Sequence, residues 1–137
     1  MYTKGGYGLA IPGYEEAGAA CLGDYRQKEA IRMYAQAAWA SKCTHTVVSV
    51  PWSEACPWPA RCALIVQLPS GHRVANVFLA GGRMDDNKFA WYARLQHRNE
   101  YIARVIAHAP DRLVGDWNAD IIAQREEELY KLDSQHV

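Results

Sequence analysis

Residues 60–82 read ARCALIVQLPSGHRVANVFLAGG. The segment 62–68, CALIVQL, is almost continuously apolar, and 73–80, RVANVFLA, nearly so. Between them stands Pro69-Ser70-Gly71-His72. Proline pre-sets its φ and glycine accepts positive φ, so these four residues have the chemistry of a turn. The run lengths, with β-branched Ile65, Val66, Val74 and Val77, favour two strands over a helix. A strand wetted on one side alternates apolar with polar residues. Here Leu64 and Val66 point one way and Ala63 and Ile65 the other, all four apolar. Both faces of this hairpin are therefore expected to be covered, by helices of the same chain or by a second copy of it.

Outward from the hairpin, THTVVSV at 44–50 alternates enough for a third strand beside it. Asp24 and Gln27 have capping-box spacing, and the alanine-rich stretch after them predicts a helix over 25–41, with Ile31, Tyr34, Ala35 and Ala38 inward. A short helix is expected over 14–22, weakened by Gly18, and a short edge strand over 7–11. Asp85 or Asp86 caps a long helix over 87–109, which Pro110 stops. At 100° per residue, Trp91, Leu95, Ile102, Ile106 and Ala109 share one sector of it. His97, Tyr101, Arg104 and His108 lie roughly opposite, flanked by Arg94 and Arg98, as a cationic stripe. A last helix is expected over 113–132. The fold class is thus α+β: a three- or four-stranded, mainly antiparallel sheet packed by two or three long helices, in the order (β)-α-β-β-β-α-α.

The chain has 137 residues, the length of a single domain spanning 1–137. Its formal net charge is zero, which gives no global attraction to nucleic acid or anionic membrane. The stretch 87–112 carries five Lys/Arg against two Asp/Glu, and 113–137 two against six. Two neighbouring helices of opposite sign are expected to neutralise each other. No apolar run reaches membrane-spanning length, and the N-terminus lacks a hydrophobic signal core, so a cytoplasmic protein is expected.

The loop PWSEACPWP at 51–59 carries Trp52 and Trp58 on a proline-stiffened backbone. Such rings either fold back over the core or form a pre-ordered contact surface. Cys43, His45, Cys56 and Cys62 lack the short Cys-x-x-Cys knuckle of structural zinc sites, so no metal is assigned. There is no nucleophile elbow, P-loop, H-E-x-x-H, dinucleotide fingerprint or deaminase signature. No catalytic residue and no cofactor follow, and whether the protein is an enzyme stays open.

The order helix, three strands, helix resembles a double-stranded-RNA-binding domain in topology. That family grips phosphates with a lysine cluster at the start of its last helix. The matching stretch here, Arg83-Met84-Asp85-Asp86-Asn87-Lys88, has two acids and no cluster. The RNA-binding function is not carried over. EYIARVIAHAPDRL, followed by an acidic segment, is similar in general character to small phage and mobile-element proteins.

The leading expectation is a non-enzymatic protein that binds another macromolecule, foremost a protein. The candidate contacts are Trp52, Trp58, His72, Arg94, His97, Arg98, Tyr101, Arg104 and His108. Second ranks a small-molecule binder or motif-free enzyme with a pocket by the 51–59 loop, near Cys56 and His72. Third ranks nucleic-acid binding by the basic face of the 87–109 helix. Homo-oligomer formation is expected if helices cover only one face of the sheet.

Overall fold

The computed structural model describes residues 2–3, 10–21, 30–51, 61–79, 88–118 and 126–127. The chain is α+β with more strand than helix. In order it runs β1 (Tyr2–Thr3), β2 (Tyr14–Cys21), β3 (Ala30–Gln36), α1 (Ala37–Ala40), β4 (Thr44–Val50), β5 (Arg61–Gln67), β6 (Arg73–Phe78), α2 (Lys88–Ile106) and β7 (Arg112–Asp116). The central hairpin is β5–β6, antiparallel from Leu64↔Asn76 to Gln67↔Arg73. β4 pairs antiparallel with the whole of β5. β7 joins β6 in parallel, Val74↔Arg112 through Phe78↔Asp116. A parallel pair needs a long crossover, and α2 supplies it. The main sheet is thus β4-β5-β6-β7, and β2, β3 and the two-residue β1 make a second.

The two faces of the main sheet are covered differently. Val48, Val50, Ala63, Ile65, Ala75, Val77 and Leu79 form one core with Tyr101 and Val105 of α2. Cys62, Leu64 and Val66, on the other face of β5, meet Ala17, Ala20 and Ile31 of the second sheet. The lack of alternation in β5 has this cause: each face meets its own apolar layer. Burying one such aliphatic side chain contributes roughly 1.5–3 kcal/mol. Around β5 the chain covers both faces itself, with α2 on one side and the second sheet on the other.

Several expected elements are corrected. The described part of the 25–41 helix is strand β3 followed by the single turn α1. The period of AIRMYAQ is two: Ile31, Met33 and Ala35 turn to the inter-sheet core. Alanine content is a weak helix prior that such packing overrides. The 14–22 helix is strand β2, paired along β3 with a bulge between Glu16 and Gly18. Its small residues permit close approach, since a Cβ on Gly18 would lie 2.8 Å from His45 Cβ. The 113–132 segment opens as β7, not as a helix, while Glu126 and Glu127 are helical. Of the 7–11 edge strand, Ala10 and Ile11 are irregular and the rest lies outside the described residues. One long helix, α2, stands where two or three were expected, and with β3 in place of a helix the topology that resembled an RNA-binding domain does not hold. No described helix is long and apolar enough to cross a membrane.

Candidate functional site

The turn Leu68–His72 organises one end of the molecule. Leu68 N–H donates to His72 O at 2.8 Å and Gly71 N–H to Leu68 O at 2.8 Å. Gly71 holds φ at 88°, a region that glycine enters without a Cβ clash. The turn delivers Arg73 beneath the C-terminus of α2. Arg73 Nη1 donates to His108 O at 2.9 Å and its Nε to Gln67 Oε1 at 3.2 Å. A guanidinium there satisfies a terminal carbonyl and complements the negative end of the helix dipole. Asp111 fastens the same corner: its carboxylate accepts from Arg73 N–H at 2.8 Å and its own N–H donates to Arg73 O at 2.8 Å. His72 Nδ1 stands 3.7 Å from that carboxylate, with both side chains about half exposed.

Two concavities flank this end. On the α2 side of the sheet, Thr44, Thr46, Ile65, Gln67, Arg73 and His108 line a polar recess of about 100 Å³. That is the volume of a few waters. The other is an apolar groove of about 220 Å³ lined by Trp39, Lys42, Leu68, Pro69 and Ser70. The single turn α1 presents its indole: Ala37 N–H donates to Gly13 O at 2.9 Å, and Lys42 N–H to Trp39 O at 2.9 Å. Cys43 Sγ also donates to Trp39 O, at 3.4 Å. The Trp39 side chain is left 52% exposed.

The basic stripe of α2 is corrected. His97 and Arg98 are only 4% and 9% exposed, and Tyr101 is fully buried. The inward face runs Trp91, Arg94, Arg98, Tyr101, Val105, at helical spacing, rotated from the sector that hydrophobicity alone selects. Ile106, expected inward, is exposed. The Tyr101 hydroxyl accepts from Phe78 N–H at 3.0 Å and donates to Cys62 O at 2.8 Å. It takes the place of a ladder bond where β5 and β6 diverge, and burial pushes its pKa up to about 12. His97 Nε2 lies 3.0 Å from Val50 O. Burial lowers the His97 pKa, against the opposing effect of that bond. Burial also lowers the Arg98 pKa, and Glu126 pulls it back up. Arg104 reaches Glu100 at 2.7 Å and Ser49 O at 3.2 Å. Of the stripe, Arg104 and His108 are exposed and Arg94 is half-buried.

Among the other candidates, His72 is exposed at the turn, and Trp52, Trp58 and Cys56 lie outside the described residues. His72 follows the Gln67 end of β5, whose seven residues span roughly 20 Å, while the expected pocket by the 51–59 loop lies outside the described residues. The same strand separates Cys62, opposite Ser49, from Cys43, which precedes the Thr44↔Gln67 pair. No group of three or more metal-holding side chains occurs among the described residues. Trp39, Lys42 and Arg73 were missed from the sequence. Trp39 stood inside the expected helix but off its inner face, and that displacement was its one visible signal. Compared with models of known families, with curated proteins and with solved structures, the chain matches none.

Proposed function

We propose that this chain is a non-enzymatic interaction protein that docks a segment of a protein partner at the hairpin end. The observation that carries this reading is the half-exposed Trp39 ring in the groove with Leu68, Pro69 and Lys42. Tryptophan is the residue most enriched among anchors of interfaces, where one ring in a pocket can dominate the affinity. Lys42, the charged side chain lining the groove, sets the sign of the partner. The segment that fits is an apolar side chain flanked by carboxylates. The small-molecule reading has less support, since the polar recess is well below the roughly 300–1,000 Å³ of ordinary ligand pockets.

Selection of a random peptide library on the immobilised full chain tests this. Enriched peptides should share an aliphatic or aromatic residue beside Asp or Glu. Trp39→Ala should weaken the winners by roughly thirtyfold, as loss of an anchor of about 2 kcal/mol does. No convergent sequence, or binding indifferent to Trp39→Ala, contradicts the reading.

A further inference from the structure

We infer that β4 is a docking edge for a second copy of itself, so that two chains join through an antiparallel β4–β4 pair centred on Val47. This is independent of the groove at Trp39. β4 is an outer strand of the main sheet, paired only with β5 among the described residues. Its backbone polarity can be worked out from the bonds of β5. Tyr101 bridges Cys62 O to Phe78 N, and Leu68 N–H meets His72 O, so the even-numbered residues of β5 turn their amides toward β6. The odd-numbered ones, 63, 65 and 67, face β4 and its residues Val48, Thr46 and Thr44. His45, Val47 and Ser49 therefore turn N–H and C=O away from the sheet. Arg104 Nη1 on Ser49 O, at 3.2 Å, agrees with this direction.

Natural sheets blunt an open edge with charge, proline, bulges or glycine kinks. Two of the other outer strands do so here, and β1 is only two residues long. β7 has Arg112, Asp116 and a kinked Gly115 at φ 134°, and β2 has Glu15, Glu16 and a bulge. THTVVSV itself carries no Asp, Glu, Lys, Arg or Pro, and its register with β5 is unbroken; among the described residues, the charge that reaches its outer edge is Arg104, at the Ser49 end. Five of its seven residues are β-branched. Val47, at its middle, is 44% exposed.

The strand is complementary to itself. A two-fold axis at Val47 sets Val47 against Val47 and His45 against Ser49, the three residues whose backbone groups point outward. The central Val47 pair can exchange both N–H···O bonds, and at the ends of the ladder the Ser49 carbonyl, with two lone pairs, shares its acceptor capacity with Arg104. On the α2 face the same register sets Thr46 against Val48 and Thr44 against Val50. No pair of like charges meets, and the chain has no net charge to hold two copies apart. Two-fold, same-patch contacts are also the commonest form of association. The result is one sheet continuous through both copies.

Sedimentation of the full chain across the micromolar range, with wild type and Val47→Lys side by side, is the test. Wild type should sediment at twice the chain mass. Val47→Lys should sediment as a monomer with an unchanged far-UV spectrum, because two ammonium groups would meet on the axis. A short bis-maleimide on Val47→Cys should cross-link two copies, while His45→Cys, four residues out of register with its own copy, should stay at the wild-type background. This arm reports even if Val47→Lys fails to fold. A monomeric wild type, a dimer that survives Val47→Lys, or equal cross-linking at both positions overturns the assignment.

Discussion

The Tyr101 hydroxyl bonds both strands of the central hairpin at the end where they part. Tyr101→Phe keeps the ring and deletes both bonds in a buried setting. The expected cost is about 2 kcal/mol, read as a lower urea midpoint. His97 carries a pH signature. Its pKa in the folded chain is below the ordinary 6.5, chiefly because burial disfavours the imidazolium. As pH falls, the unfolded chain therefore takes up the proton first. The stability His97 contributes is complete above pH 6.5 and is lost as the pH drops through the folded value. His97→Gln retains an N–H for Val50 O and removes the titration. Its unfolding free energy should fall less steeply than wild type below pH 6.5. Parallel curves for the two proteins would exclude His97 as the source.

At the scale of elements, the sequence showed some features and hid others for physical reasons. The three middle strands and α2 were legible, because β5 and β6 are bounded by a Pro-Ser-Gly turn and α2 is long and ends at Pro110. β2 and β3 were hidden by alanines, whose helical preference is weaker than the packing of Ile31 and Met33 between sheets. The inner face of α2 was hidden because hydrophobicity ignores polar groups that find partners inside. Tyr101 and His97 are buried through the bonds they make to strand backbone. β7 was hidden because RLVGD is too short and polar to announce a strand, and parallel pairing to β6 defines it. Its Gly115 is the exception that could be noticed. A Cβ there would lie 2.0 Å from Val77 O. Gly115→Ala should therefore cost about 2–4 kcal/mol or detach β7, seen as faster amide exchange along β6 and β7.

For the whole molecule, the site was less legible than the fold. The sequence drew attention to residues by type: tryptophans in a proline loop, arginines and histidines on a helix. Partner contact is decided by exposure, and exposure depends on which way α2 turns and where α1 leaves Trp39. Both are set by long-range packing. The architecture behind these placements is one sheet with a helix on one face and a smaller sheet on the other. Methyl-to-methyl NOEs in the folded chain test it directly. Ala17 and Ala20 should show cross-peaks to Leu64 and Val66, while Val105 shows them to Ile65 and Val77. If Ala17 and Ala20 show none to β5, or if Leu64 and Ile65 both report to α2, the layering described here is wrong.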